Sequence, residues 1–197
     1  MTGVAETDGP TGATPLPRHH ENCFACGDRP GGLRLRFADP GPDADGRPCV
    51  IGAFTVDAPH QGAPGLAHGG TLAAAMDELF GALQHHLDEV YVTGELSTRF
   101  HAPVPLGETL HLSAVIEEVD GRKLRVRGTG RLRTPDGPRA VSATALFLAV
   151  PMTHFVTHAP EGTEFRGRPL SVLGHSRERR ARFVRSPGED PQDRTEG

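Results

Sequence analysis

Long apolar runs are missing from this chain. Nowhere do about 18 hydrophobic residues follow one another, the least that a bilayer-spanning helix needs. A charged start leading into an apolar segment, the mark of a secretory leader, is absent as well. The expectation is a soluble, cytoplasmic protein with no membrane partner. Cysteine is scarce, with three in 197 residues. An odd number builds no disulfide framework and suits a reducing compartment. Positive charge is not in excess: the formal net charge is −4, which gives no ground to expect nucleic acid as partner. Hydrophobic residues make up only 36%, against 25 Gly and 18 Pro. Much of that bias sits in the two tails, so the centre can still bury the core of one domain.

Against that background one stretch stands out, Gly65-Leu66-Ala67-His68-Gly69-Gly70-Thr71-Leu72-Ala73-Ala74-Ala75-Met76-Asp77-Glu78-Leu79-Phe80-Gly81. Its spacing predicts one long helix over about residues 69–87, opened by a His-Gly-Gly turn. At about 100° per residue, Leu72, Met76, Leu79, Leu83 and Leu87 form one stripe with Phe80 at its margin. That is the pattern of a helix lying on a sheet. The opposite face carries Gly70, Ala73, Ala74, Asp77, Gly81 and Gln84, nearly all small, with one carboxylate among them. Small side chains let another backbone or a ligand come close, so Asp77 is a candidate working group rather than a solubilising one.

A distance sharpens this reading. Gly70 and Asp77 lie about 10.5 Å apart along the helix axis, at a rise of about 1.5 Å per residue. Free N–H groups at the helix start can polarise a carbonyl, and Asp77 can act as base or nucleophile. One carbonyl cannot touch both ends of that span. Two antiparallel copies of the helix would solve the problem, each lending its N-terminus to the other's Asp77. The expectation is a homodimer with sites at the interface.

Around the helix the chain reads as β. Leu33-Arg34-Leu35-Arg36-Phe37 alternates strictly, residues 49–56 make a second strand, and residues 57–67 form a loop containing His60, Gln61 and Gly62. After the helix, residues 91–101 are strand-like. Residues 109–119 alternate with Leu110, Leu112, Ala114 and Ile116 on one face. Asp120-Gly121 signals a hairpin, residues 123–133 alternate again, and Pro135-Asp136-Gly137-Pro138 is a turn. A more fully apolar run over residues 140–150 closes the sheet. One helix on a strongly curved antiparallel sheet is an α+β fold.

The flanks differ. Residues 1–18 lack periodicity and are expected to be disordered. From about residue 152 to 197 the expectation is an irregular tail with a basic run (Arg177, Arg179, Arg180, Arg182, Arg185), by default solvated. At the domain's start stands His19-His20-Glu21-Asn22-Cys23-Phe24-Ala25-Cys26-Gly27. Two His and a Cys-x-x-Cys could in principle supply four zinc ligands. Adjacent His residues are poorly spaced for one tetrahedral site, however, and no second Cys-x-x-Cys follows. The expectation is a compact turn that packs on the domain, with no metal.

Over about residues 22–150 the chain resembles the hotdog-fold thioesterases of the phenylacetate-degradation (PaaI-like) type. The marks are Cys-Phe-x-Cys-Gly…Gly-Leu (Cys23 to Leu33), Gln61-Gly62-x-Pro64-Gly65-x-x-His68-Gly69-Gly70, then Asp77-Glu78, then Phe100-x-x-Pro103-Val104-Pro105-x-Gly107. The resemblance implies a hotdog domain over residues 19–151, its curved sheet wrapped round one central helix. It implies hydrolysis of an acyl-CoA or acyl-carrier-protein thioester without a cofactor, by a homodimer or tetramer. Carried over by position, Gly69 offers its backbone N–H to the thioester oxygen and Asp77 of the other subunit is nucleophile or general base. Thr93 helps hold the water, and His68 shapes the loop. Gly70, Gln61 and Gly62 fall on the substrate side. Some relatives have Asn where Gly62 stands, so a polarising side chain is missing here, with Gln61 or His60 as substitutes. A non-catalytic acyl-CoA-binding module is the alternative that this departure leaves open. A hotdog dehydratase would need an Asp/His pair in a hydratase-type motif, which is not found.

Overall fold

The computed structural model describes residues 12–165 and 168–169. In chain order the elements are β1 (Thr14–Pro15), β2 (Arg36–Asp39), β3 (Cys49–Thr55), α1 (Gly69–Ala82), β4 (Val90–Phe100), β5 (Thr109–Asp120), β6 (Lys123–Leu132), β7 (Arg139–Val150) and α2 (Thr153–His158). The seven strands form one antiparallel sheet in the order β1-β2-β3-β5-β6-β7-β4. The chain therefore leaves β3, crosses the sheet with α1 and re-enters at the opposite edge as β4. This is the α+β hotdog architecture.

The alternation of the strands decides which face meets the helix. Leu110, Leu112, Ala114 and Ile116 of β5, Leu124 and Val126 of β6, and Val141, Ala143, Ala145 and Phe147 of β7 are all buried. Leu72, Met76, Leu79, Phe80 and Leu83 come down on them from α1 and its continuation. Helix and sheet approach so closely that one strand position has no room for a side chain. A Cβ at Gly128 would lie 2.8 Å from the Phe80 ring, 2.8 Å from the Ser113 carbonyl and 3.1 Å from the Met76 methyl.

Four boundaries depart from the sequence pattern. The α-helix ends at Ala82 rather than near residue 87, and Leu83–His86 tighten into a 3-10 turn. Leu83 stays buried through this turn, and Gln84 reaches the start of β4. Its side-chain amide there binds the Tyr91 backbone, accepting from the N–H at 2.9 Å and donating to the carbonyl at 3.2 Å. The strand read at 33–37 starts only at Arg36. Leu33, Leu35 and Phe37 are buried in alternation, but Arg34 has φ +54° and the Leu33 and Leu35 N–H groups bind the Phe24 and Ala25 carbonyls. This segment holds the Cys turn before it joins the sheet.

The sheet also takes in residues before 19, and residues 1–11 lie outside the described residues. Thr14–Pro15 pair with β2, and Leu16 packs against the core. Beyond residue 152, Thr153–His158 form a short helix and Glu164–Phe165 pairs with Arg168–Pro169. The basic run at 177–185 lies outside the described residues. All three cysteines are free thiols. No helix among the described residues is long and apolar enough to cross a membrane.

The fit at Gly128 is open to measurement. Gly128→Val is expected to lower the urea unfolding free energy by ~1–3 kcal/mol through overpacking, and Gly128→Ala by less. Unchanged stability in both would mean that α1 is free to rise off β6.

Candidate active site

The N-terminus of α1 is fixed by the loop before it. His68 N–H donates to the His60 carbonyl at 2.8 Å, Ala67 N–H to Val104 at 2.8 Å, and Gly62 N–H to Leu66 at 2.9 Å. From the other side, Leu106 N–H reaches the Gly65 carbonyl at 3.0 Å. The residues 61–68 are thus tied both to themselves and to the Pro-rich segment after β4.

A helix start leaves its first N–H groups without intrahelical acceptors, and here they are not equivalent. His68 is the N-cap, and its Nδ1 accepts from Gly70 N–H at 2.8 Å. Thr71 N–H and Leu72 N–H both turn back to the His68 carbonyl. Among the described residues, the Gly69 N–H has no acceptor. It lies beside the Phe100 ring, which would sit 3.3 Å from a Cβ at that position. Phe100 is itself 53% exposed. A free donor next to an open aromatic face can receive an oxygen atom with its apolar substituent.

Two turns further along α1, Asp77 accepts a hydrogen bond from Thr93 Oγ1 at 2.7 Å through Oδ1. A β-bulge makes this contact. The pairing of β4 with β7 shifts between Thr93 and Glu95, leaving Gly94 as the extra residue. Tyr91 and Thr93 stand opposite Ala149 and Phe147, and after the bulge Leu96, Thr98 and Phe100 stand opposite Ala145, Ala143 and Val141. Cross-strand partners share a face, so the helix-facing set passes from odd to even positions at Gly94. Without the bulge the Glu95 carboxylate would point at α1. A lone glycine inside a strand pattern is the available sequence signal for this.

The remaining sequence candidates divide. Gln61 Oε1 accepts from Gly65 N–H at 3.1 Å, so it braces the loop. His60 is buried (3% exposed), takes the Asp57 N–H on Nδ1 at 2.9 Å and has Nε2 3.3 Å from the Gly32 carbonyl. Both its nitrogens are engaged in architecture. Gly62 packs on the N-cap itself, since a Cβ there would lie 2.7 Å from His68 Cα. Gly70 is exposed and lies under the His68 ring, 2.9 Å from a built Cβ to Nδ1. Glu78, one position after Asp77, turns instead toward the Cys turn and lies 2.8 Å from His19 Nδ1. Burial pushes its pKa up, but hydrogen bonding to His19 and Cys26 outweighs this and holds the carboxyl below its usual range.

A cavity of about 700 Å³ opens beyond this face. Gly81, Leu87, Tyr91, Met152 and Phe155 are among its walls, and residues 17–20 close one side. Gly81 lies one turn from Asp77, about 6 Å along the axis, and a Cβ built on it meets nothing within 4 Å.

Residues 64–137 match the family model described as the thioesterase superfamily. That span contains the His-Gly-Gly turn, Asp77 and Thr93. The stretch carrying these residues thus resembles the thioesterase superfamily. The domain is similar to acyl-coenzyme A thioesterase THEM5 of Mus musculus, 38% identical over 64 residues, which are 32% of this chain and 26% of that protein. It is similar also to acyl-coenzyme A thioesterase THEM4 of Xenopus laevis, 33% identical over 89 residues, 45% of this chain and 39% of the relative. The match thus spans well under half the length of these curated relatives. Among solved structures, the E. coli PaaI protein shares the fold with a TM-score of 0.52 at 16% identity, over 60% of this chain and 80% of that one.

The contact between position 62 and the N-cap predicts that Gly62→Ala and Gly62→Asn both destabilise the domain, by ~1–3 kcal/mol from overpacking. Chemical denaturation would measure it. An Asn accepted without loss would show that the loop can move away from His68.

Proposed function

We propose that this domain hydrolyses an acyl-CoA thioester to the free acid and CoA. The observation that carries the reading is the pairing of one unengaged N–H, that of Gly69, with a carboxylate on the same helix whose second oxygen is left to react. The names of the THEM4 and THEM5 relatives point the same way. A thioester carbonyl is weakly resonance-stabilised and its thiolate leaves easily, so modest electrostatic help is enough. A donor aimed at the developing oxyanion contributes on the order of 3 kcal/mol, and the dipole at the helix start adds to it.

Thr93 holds Oδ1 of Asp77 and so directs Oδ2 outward. As general base, Oδ2 takes a proton from water while the water oxygen attacks the carbonyl carbon. The oxyanion rests on Gly69 N–H until the C–S bond breaks, and the proton passes to the departing CoA sulfur. As nucleophile, Asp77 would instead form a mixed anhydride that water then cleaves. Single turnover in heavy-oxygen water separates the two, because only the anhydride route can leave label in the Asp77 side chain.

The span of about 12 Å along the axis between Gly69 and Asp77 supports a homodimer in which each site takes Gly69 from one protomer and Asp77 from the other. β4 supports it too, because among the described residues it is an edge strand that pairs only with β7. The acyl chain is assigned to the cavity behind Gly81. A second reading, an acyl-CoA-binding module without turnover, draws on Gly62, which leaves the thioester oxygen without a side-chain donor from that position.

CoA release from short, medium, long and aromatic acyl-CoAs, followed with a thiol reagent against an enzyme-only blank, tests the proposal. The wild type is expected to release CoA, and Asp77→Ala to lose at least about a hundredfold in kcat, some 2.7 kcal/mol of barrier. Equal rates would remove Asp77 from the chemistry. Retained acyl-CoA without release would favour the binding module, and acyl-carrier-protein substrates run in parallel would show which thioester is preferred. Filling the cavity with Gly81→Leu is expected to reduce turnover of long-chain more than short-chain acyl-CoA. An equal effect on both would place the acyl group elsewhere.

A further inference from the structure

Four donor atoms that the thioester chemistry leaves unused converge beside α1. Nδ1 of His19, Sγ of Cys23, Sγ of Cys26 and a carboxylate oxygen of Glu78 all lie within 4.8 Å of one another. Individual separations are 2.8 Å from His19 Nδ1 to Glu78 Oε1, 3.2 Å from Cys26 Sγ to His19 Nδ1 and 3.5 Å from Cys23 Sγ to Glu78 Oε2. Donors placed tetrahedrally around one zinc ion at ordinary bond lengths are about 3.3–3.8 Å apart. With separations between 2.8 Å and at most 4.8 Å, the donors reach that arrangement by shifts of up to about 1 Å, within the range of side-chain rotation. We propose that His19, Cys23, Cys26 and Glu78 bind a structural Zn²⁺ that fastens the N-terminal turn to α1.

The local backbone is shaped for this. Ala25 N–H points at Cys23 Sγ at 3.3 Å, and Gly27 N–H closes the turn on the Cys23 carbonyl at 3.1 Å. A Cβ at Gly27 would overlap the Glu21 and Cys23 carbonyls, so the turn after the second cysteine requires glycine. A backbone donor aimed at sulfur favours the thiolate, the form that ligates metal. The donor set also selects the ion. Two thiolates, an imidazole and a carboxylate suit zinc, and four protein ligands leave no open position, which marks a structural rather than a catalytic site.

Charge accounting is consistent. Zn²⁺ with two thiolates and one carboxylate carries a net charge of minus one; Arg36, which also pairs with Asp28, donates to the Cys26 carbonyl at 3.0 Å close by. Burial pushes both thiols above their ordinary range, and the Glu78 charge adds to that. Metal binding therefore displaces two thiol protons into solvent. Sequence spacing alone misses the site because its fourth ligand stands 55 residues beyond Cys23. The proposal is independent of the hydrolase reading.

Elemental analysis of the full chain, purified under reducing conditions without chelator, is the first test. One zinc per chain is expected, lost in Cys23→Ser/Cys26→Ser and in Glu78→Gln. Co²⁺ added to the chelator-stripped protein should give visible d–d bands with a thiolate charge-transfer band, saturating at one ion per chain. Zinc should also protect two of the three thiols from a thiol reagent. If the double cysteine variant fails to fold, the cobalt spectrum and the thiol count of the wild type still decide. No saturable binding of Zn²⁺ or Co²⁺ to the reduced wild type overturns the proposal. So does a cobalt spectrum without thiolate character, or one unchanged in the double variant.

Discussion

The seat of α1 on the sheet governs the rest of the molecule. Phe80 and Met76 lie against Gly128, and the sheet beneath them is filled by Leu124, Val126 and Phe147. Close packing of this kind tolerates little displacement, because interiors have the density of organic crystals. Since the buried stripe of α1 is fixed in rotation, so is the opposite one. Asp77 is presented to solvent and to Thr93, while Glu78, about 100° further round, is presented to His19 and the Cys turn. Two adjacent carboxylates thereby meet separate environments.

The candidate site is made largely of backbone. Gly69 contributes an N–H, Gly62 contributes the absence of a side chain, and His68 joins them through its cap to Gly70. The loop around them is held by its own hydrogen bonds and by the segment following β4. A backbone donor of this kind is pre-aimed, with no side-chain rotamer to order. The candidate side chains, Asp77 and Thr93, come from the two elements bracketing the 3-10 turn at Leu83–His86. That turn, clamped by Gln84 on Tyr91, sets how far β4 lies from α1.

Periodicity made the helix, its buried stripe and the strands β3 to β7 legible in the sequence, because alternation and 3.6-fold spacing report burial directly. It erred where backbone conformation, and not side-chain burial, sets the boundary. Arg34 keeps the alternation of its neighbours while its positive φ takes the segment out of the ladder. Leu83 continues the apolar stripe although the α-helix has ended. Asp77 and Gly69 could be singled out from spacing and family likeness. Phe100 beside Gly69 could not, because that neighbourhood depends on how residues far apart in the chain are brought together. The same holds for Glu78 beside His19 and the two cysteines.

The bulge at Gly94 makes β4 a strand with a phase change in the middle. A second irregularity of this sort lies in β5 between Ile116 and Glu118, after which Val119 regains the inner face. In a regular ladder, a residue gained or lost at a strand end is absorbed by the adjoining loop. Inside β4 it is not, because one half of the strand would keep its inward set and the other would turn it to solvent. Thr93 belongs to the half before the change, and Leu96, Thr98 and Phe100 to the half after it. Length variation within this strand therefore reads like a frameshift in side-chain facing, and lineages carrying this domain should vary the residues of β4 far more readily than their number.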